Sequence, residues 1–283
     1  MAIQSHKNES RNNIIFNSLS VCVGIVLLFP LYWMLVTSLK YEQDIFAMHP
    51  TLIPVRVFWN SYISQLGNGQ FNMFRSFFNS SVIALSVMVI STTLSIPAAY
   101  GLARFRFKGK KLFILLFLVT QMLPAVFVLT PLFIIFNNMN VLGTALSPII
   151  ADSTIGIPFS VLILRTYFLS IPKELDDVAK IDGCNHFTAF IRIMIPIASP
   201  GVIVAAVFSF LFAWGDLVYG MTFISKQELR PITAGMFNFM GQYGIAWNYL
   251  MAFGVVTILP VVLIFIFMQK YIISGLTNGA IKG

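Results

Sequence analysis

Carboxylates are the residues in this sequence whose type and spacing could do chemistry, and four of its ten lie in one polar stretch, residues 171–201. Glu174, Asp176 and Asp177 closely follow Pro172. Proline suits the first position of a helix, and acidic side chains in the first turn are stabilised by the positive end of the helix dipole. The pattern predicts a short helix that begins just after Pro172. We assign no catalytic role to these carboxylates.

This predicted helix carries a small apolar patch. Leu175, Val178 and Ala179 fall three and four residues apart on one face, and the charged side chains lie on others. A patch of this size fits a shallow groove on a partner. An amphipathic helix lying at the membrane interface is the alternative that the residues alone leave open.

A glycine turn and a second helix should follow. Asp182-Gly183 breaks the helical pattern, and Asn185 is placed to cap the next helix. Gly183 is expected to adopt a positive φ or to let a partner's backbone approach closely. The apolar stripe of the second helix lies before Pro196 and consists of Phe187, Phe190, Ile191 and Met194.

Two further carboxylates, Asp152 and Asp216, lie inside apolar runs. A charge at the centre of a bilayer costs at least about 2.5 kcal/mol, so both should face protein or water and are functional candidates. Asp152 is near the predicted outer end of its run, where we expect it to be solvated. A secondary transporter that uses either carboxylate for ion coupling is an alternative, but no inverted repeat is visible to favour it.

Several other chemistries are excluded by the sequence. No phosphate-binding glycine loop occurs, since Gly109-Lys110 is followed by Lys111 and lacks the upstream glycine. Cys22 and Cys184 are far apart and the three histidines are scattered, which leaves neither a disulfide framework nor a metal site. The basic residues lie between apolar runs rather than among aromatic residues on a soluble domain, so a nucleic-acid partner is not expected.

The composition indicates a polytopic membrane protein. Apolar residues make up 58% of the chain and charged residues only 10%, against about a quarter charged in ordinary globular proteins. We predict an all-α protein with a single domain, residues 1–283, and six spans, each long enough to cross a hydrocarbon core of about 30 Å. The predicted spans are residues 14–37, 77–102, 112–136, 146–167, 200–224 and 247–268.

The distribution of positive charge predicts the orientation of these spans. The second connection carries five basic residues, whereas the third, residues 137–143, has none. Both termini should therefore be cytoplasmic, and the polar loop, residues 171–199, should face the same compartment. The basic residues of the second connection are Arg104, Arg106, Lys108, Lys110 and Lys111. Prolines within the predicted spans are expected to kink their helices around a cavity.

The polar loop resembles a known pattern. Asp177-Val178-Ala179, three residues, Gly183, nine residues, Ile193, one residue and Ile195-Pro196 match the spacing of the "EAA" loop of ABC importer permeases, with Asp177 in place of the glutamate. In that family the loop docks into a cleft of the ATPase subunit. The resemblance therefore implies that a cytoplasmic helix pair couples this chain to an ATPase, through Glu174, Leu175, Asp177, Val178, Ala179, Asp182, Gly183 and Phe187.

Other segments are similar to the shorter six-span permease of maltose-type carbohydrate importers. They are residues 28–40, residues 98–105, residues 171–175 and the tail, residues 275–283. The resemblance implies the type I ABC importer permease fold in a bacterial cytoplasmic membrane, surrounded by lipid. It implies as partners a second, related permease, two cytoplasmic ATPase subunits that bind ATP and Mg²⁺, and an extracytoplasmic solute-binding protein. No cofactor is expected in this chain.

The resemblance also implies the kind of substrate and where it passes. Phe212 to Leu217 is similar to a Trp-Asn-Asp/Glu stretch in the fifth span of sugar permeases, with Gly215 in place of the asparagine. The substrate is expected to be a sugar or oligosaccharide, and a phosphorylated polyol is the alternative within the family. Candidate residues of the translocation path are Asn79, Gln121, Trp214 and Asp216.

Overall fold

The computed structural model describes residues 2–67, 72–241 and 244–280, and most of this part of the chain is helical. The longer helices are α1 (Ala2–Ser38), α4 (Met73–Arg104), α5 (Lys110–Met122), α6 (Ala125–Asn138), α7 (Leu146–Ser170), α11 (Ser199–Gly215) and α14 (Trp247–Ala280). The shorter helices are α2 (Glu42–Ile45), α3 (Asn60–Leu66), α8 (Glu174–Ile181), α9 (His186–Ala189), α10 (Ile195–Ile197), α12 (Val218–Phe223) and α13 (Ile232–Gly235).

Four helices are long and apolar enough to cross a membrane: α1, α4, α7 and α14. Two bent helix pairs also qualify, which gives up to six spans if each pair is one span. The pairs are α5 with α6, and the segment His186–Ile197 with α11. The all-α prediction is confirmed.

The third span was predicted as one kinked helix over residues 112–136, but the structure has two separate helices there. Helices α5 and α6 meet at 99°, with Leu123 extended and Pro124 preceding α6. The ring of a proline disfavours the helical conformation for the residue before it and removes a backbone donor, which accounts for the break. Pro131 remains inside α6, so only one of the two prolines ends a helix.

The fifth span is also shorter than predicted. Helix α11 ends at Gly215, and a separate short helix, α12, begins at Val218. This corrects the continuous span predicted over residues 200–224. The break falls at Asp216, whose side chain accepts backbone hydrogen bonds from α12 instead of lying within a helix.

Contacts divide the chain into two compact units, and the larger comprises residues 68–238 with 259–283. Its centre is the packing of α4, α7 and α11. Small hydroxyl side chains lie where these helices meet: Ser160 and Ser209 Oγ atoms are 2.9 Å apart, and Ser95 donates to the carbonyl of Ile157. Small residues let membrane helices approach closely, so these positions bring the three helices together.

The smaller unit comprises residues 1–67 with 239–258. Its strands β1 (Met240–Gly241) and β2 (Gly244–Ile245) form a short antiparallel pair. Ser61 donates to the carbonyl of Ser38 at 2.6 Å, and the buried Lys40 ammonium lies over the Trp33 ring, 4.7 Å from its centre. These contacts fasten the segment after α1 to the end of that helix. That a single domain spans residues 1–283 stays a prediction.

Candidate functional site

The polar loop folds as its sequence predicts, into helix, glycine turn and helix. Helix α8 spans Glu174–Ile181, and α9 begins at His186. The Asn185 side-chain oxygen accepts from the backbone N–H of Thr188 at 2.8 Å and from its hydroxyl at 2.9 Å. Asn185 therefore caps α9, because it satisfies a donor that has no partner within the helix.

Gly183 has a φ of +81°, which confirms the predicted backbone conformation. The N–H of Cys184 donates to the carbonyl of Ala179 at 2.9 Å, across the turn. This is the bond of a Schellman motif, in which a glycine in the left-handed conformation ends a helix and satisfies its last carbonyls. Helix α8 thus ends at a turn that only a residue tolerating a positive φ adopts without strain.

Helix α8 has two faces, and the apolar patch predicted as one surface is divided between them. Ala179 is 0% exposed, and Leu175 packs against the buried cluster formed by α4, α7 and residues 194–205. Val178, in contrast, is 50% exposed. The prediction of a common outward patch is corrected here, since two of its three residues face the protein's own core.

The outward apolar surface of the loop is made by Val178, Ile181 and Phe187. Ile181 is 84% exposed and Phe187 70% exposed. Sequence reasoning omitted Ile181, although its position three residues after Val178 already places it on the same face. The carboxylates Glu174, Asp177 and Asp182 are exposed on the same short segment. We call these six residues the coupling surface; their role in coupling stays a prediction.

The segment after α9 links the coupling surface to a membrane helix. Phe190–Met194 forms a π-helical turn and is followed by α10 and then α11. Met194 is fully buried, and Phe190 packs on the same core cluster, with its ring 4.7 Å from that of Tyr100 in α4. Single π-helical turns interrupt an α-helix and recur at functional sites, and here one stands between the loop and α11.

A cavity in the larger unit is lined by one of the four translocation candidates, Gln121, and not by Asn79, Trp214 or Asp216. The Gln121 Nε2 donates to the carbonyl of Ile155 at 3.1 Å. The cavity, of about 450 Å³, lies between α5, α7 and α11. Three aromatic rings, those of Phe159, Phe208 and Phe212, line it, and Ile155, Gly156, Ser209 and Leu211 complete the lining.

Asn79 and Trp214 are held elsewhere in the larger unit. The Asn79 amide donates to the carbonyls of Glu228 at 2.9 Å and Arg230 at 3.2 Å. Trp214 is buried, and its ring packs against those of Phe77 and Phe210. Neither lines the cavity beside Gln121, so the four candidates do not form one site in this chain. Their part in translocation stays a prediction.

The two carboxylates inside apolar runs have different surroundings. Asp216 accepts from the backbone N–H groups of Val218, Tyr219 and Gly220 at 3.0–3.3 Å and so caps α12. Asp152 is 0% exposed, and its oxygens have no hydrogen-bond partner among the described residues. The expectation that Asp152 is solvated is therefore wrong, since it lies in the interior of the larger unit.

Comparison with known proteins gives a consistent result. The model of the family "Binding-protein-dependent transport system inner membrane component" matches residues 91–278. The arabinooligosaccharides transport system permease protein AraQ of Bacillus subtilis is 32% identical, over 92% of both chains. The sulfoquinovosyl glycerol transport system permease protein SmoH of Agrobacterium fabrum is 32% identical, over 90% of this chain and 89% of its own length.

A third relative and a solved structure extend the comparison. The diacetylchitobiose uptake system permease protein DasC of Streptomyces coelicolor is 29% identical, over 94% of this chain and 96% of its own length. The crystal structure of a bacterial ABC transporter involved in the import of the acidic polysaccharide alginate contains a similar chain. The two have a TM-score of 0.77 and 20% identity, over 92% of this chain and 95% of that one, which supports the same fold.

Proposed function

The chain belongs to the family of inner membrane components of binding-protein-dependent transport systems, and we propose that it is the permease subunit of an ATP-driven carbohydrate importer. The observation that carries the proposal is the geometry of the polar loop. Its helix pair presents an apolar and acidic surface outward and packs its inner face on the helices of the larger unit. Such an element can receive a displacement on one side and pass it to membrane helices on the other.

The proposed partners follow from this surface and from the family. The coupling surface docks on one of two cytoplasmic ATPase subunits, which bind ATP and Mg²⁺. The chain pairs with a second permease and receives its substrate from an extracytoplasmic solute-binding protein. Both termini and the loop are cytoplasmic in this proposal, supported by the excess of positive charge in the connection between α4 and α5.

Transmission through the loop depends on packing. Met194 belongs to the cluster that α4 and α7 share, Leu175 packs against it, and Ala179 is fully buried. Protein interiors are close-packed and barely compressible, so a displaced coupling helix shifts the elements it touches instead of being absorbed locally. Movement of the ATPase then changes the arrangement of the membrane helices around the substrate.

A carbohydrate fits the cavity beside Gln121. Aromatic rings such as that of Phe159 offer a flat apolar face to the C–H groups of a sugar, and an amide can bond its hydroxyls. No lysine or arginine is among the described residues that line the cavity, which favours a neutral sugar over a phosphorylated polyol. The relatives compared above are named for transport of sulfoquinovosyl glycerol, diacetylchitobiose and arabinooligosaccharides, which supports a carbohydrate substrate.

Charge placed on the coupling surface tests the proposed function. Ile181→Asp and Phe187→Asp should each abolish co-purification of the ATPase and reduce ATP-dependent uptake at least about tenfold, because an unpaired carboxylate would replace an apolar contact. The measurement is uptake into vesicles that contain the whole complex, normalised to inserted protein. Met48→Asp, at an exposed apolar residue far along the chain from the loop, is the control and should retain the ATPase. Full uptake by both loop variants would contradict the proposal.

Gln121→Leu tests the substrate path. Loss of one neutral hydrogen bond costs about 0.5–1.5 kcal/mol, or about 2- to 13-fold in transport efficiency for the sugar. ATPase co-purification should be unchanged. Thr120→Val is the matched control, because Thr120 lies on the same helix, donates its hydroxyl to the carbonyl of Phe117 and is not among the residues that line the cavity. A Gln121→Leu variant with unaltered efficiency towards every sugar carried would remove Gln121 from the path.

A further inference from the structure

The last residue of α4, Arg104, reaches into the base of the polar loop. Its side chain is 6% exposed. One guanidinium nitrogen, Nη2, donates to the carbonyl of Ile171 at 3.0 Å and lies 3.5 Å from that of Pro172. These carbonyls stand between the end of α7 and the start of α8, so Arg104 holds the point at which the chain enters the loop.

The same guanidinium forms an ion pair with α8. Its Nε lies 3.2 Å from Oδ2 of Asp176, whose side chain is 21% exposed and points inward, unlike the carboxylates of the coupling surface. Nε has no hydrogen-bond partner among the described residues, so this contact is held by charge. A pair so far removed from water is screened much less than one on the surface.

Arg104 also meets the segment by which the chain leaves the loop. Its Nη2 lies 3.9 Å from the sulfur of Met194, at the end of the π-helical turn. Around it, the Tyr100 ring packs against the rings of Phe105, Phe168 and Phe190. One side chain at the end of α4 therefore contacts the start of the loop, its first helix and its exit.

We infer that Arg104 is a positioning residue that fixes α8 to α4, so that displacement of the coupling surface moves α4. The role in transport rests on the proposed function, but the fixing of α8 does not. The planar fork of arginine serves a carboxylate and a carbonyl at once, whereas the single ammonium of lysine cannot take both geometries. Arg104→Lys should therefore restore only part of what Arg104→Ala loses.

The thiol of Cys184 reports the position of α8 without reference to transport. Cys184 is partly exposed in the turn that ends α8. In a Cys22→Ser background, Arg104→Ala and Asp176→Asn should each raise the rate of Cys184 alkylation several-fold, because the released helix opens more often. Asp176→Asn is nearly isosteric and leaves the arginine-to-carbonyl bonds in place. This variant therefore still tests the inference if Arg104→Ala does not fold. Arg106→Ala, at an exposed arginine of the same connection, is the control.

The amount of sugar taken up per ATP hydrolysed distinguishes a positioning role of Arg104 from a role in stability alone. In the assembled complex, Arg104→Ala and Asp176→Asn should keep the ATPase bound and hydrolysing, yet lower sugar taken up per ATP by about tenfold. The exchange Arg104→Asp with Asp176→Arg should recover part of that ratio. An unchanged alkylation rate in both single variants would overturn the inference, even if the coupling surface proved to dock elsewhere. So would a normal ratio of uptake to hydrolysis.

Discussion

Transport by a Gly183→Asp variant should be lost, although the protein should reach the membrane at its normal level. Gly183 has a φ of +81° and no atom within 4 Å of an added Cβ, so the cost is conformational and not steric. A non-glycine residue held in such a conformation is strained by about 1–3 kcal/mol. The bond from Cys184 to the carbonyl of Ala179 depends on this turn, and a second carboxylate would lie beside Asp182. The relative orientation of α8 and α9 should therefore be lost.

Two other variants make the Gly183→Asp result specific. Gly109→Asp introduces the same side chain at another glycine with positive φ, +91°, and open space around it, so it should carry a similar backbone cost while leaving the loop intact. Gly183→Asn should keep more uptake, because asparagine is found in the left-handed conformation at helix ends and adds no charge beside Asp182. The measurements are membrane-inserted protein, ATPase co-purification and ATP-dependent uptake. Normal uptake by Gly183→Asp would show that the turn at Gly183 is not needed to pass movement of the ATPase to the membrane helices.

The polar loop was predictable because its signals are local. Carboxylates in a first turn, a glycine at a helix end and an asparagine cap each act within a few residues, so their geometry is written in short sequence windows. The positive φ of Gly183 and the cap at Asn185 follow from such windows. Which face of α8 is buried was not predictable in this way, because Leu175 packs on residues far away in the chain.

The outcome at prolines shows the same limit. Pro124 separates two helices at 99°, while Pro97, Pro158 and Pro260 remain inside α4, α7 and α14. Each removes one backbone donor, but whether a helix breaks depends on what neighbouring helices offer the freed carbonyl. That information lies in tertiary packing and is absent from the residues around each proline.

The carboxylates in the apolar runs were recognised as unusual, but their environments were not. Asp216 bonds to backbone groups only two to four residues on, and an aspartate just before the first turn of a helix is a local capping signal that hydropathy alone does not detect. Asp152 is buried by other helices of the larger unit, which hydropathy along one span cannot show. Hydropathy gives the number of crossings more reliably than the surroundings of any one residue.

Gly201→Val should leave little folded protein, because no space exists for a side chain at this crossing of α11 and α7. An added Cβ at Gly201 would lie 2.4–2.8 Å from three atoms of the Tyr167 ring, including the ring carbon nearest the backbone. Such a ring cannot move aside as the tip of a flexible side chain can. Overpacking a core usually costs about 1–3 kcal/mol and can exceed this where the backbone must shift, so even Gly201→Ala should lower the unfolding temperature in detergent.

Tyr167→Ala combined with Gly201→Ala should recover stability relative to Gly201→Ala alone, since the two side chains compete for one volume and their effects cannot be additive. The matched control is Gly215→Ala on the same helix, where a Cβ meets nothing within 4 Å and no positive φ is imposed. That variant should keep the unfolding temperature of the parent. If Gly201→Ala also kept it, α11 would not lie against Tyr167. Because α11 follows directly from the π-helical turn and α10, the path from the coupling surface into the membrane helices would then have to run through α4 and α7 alone.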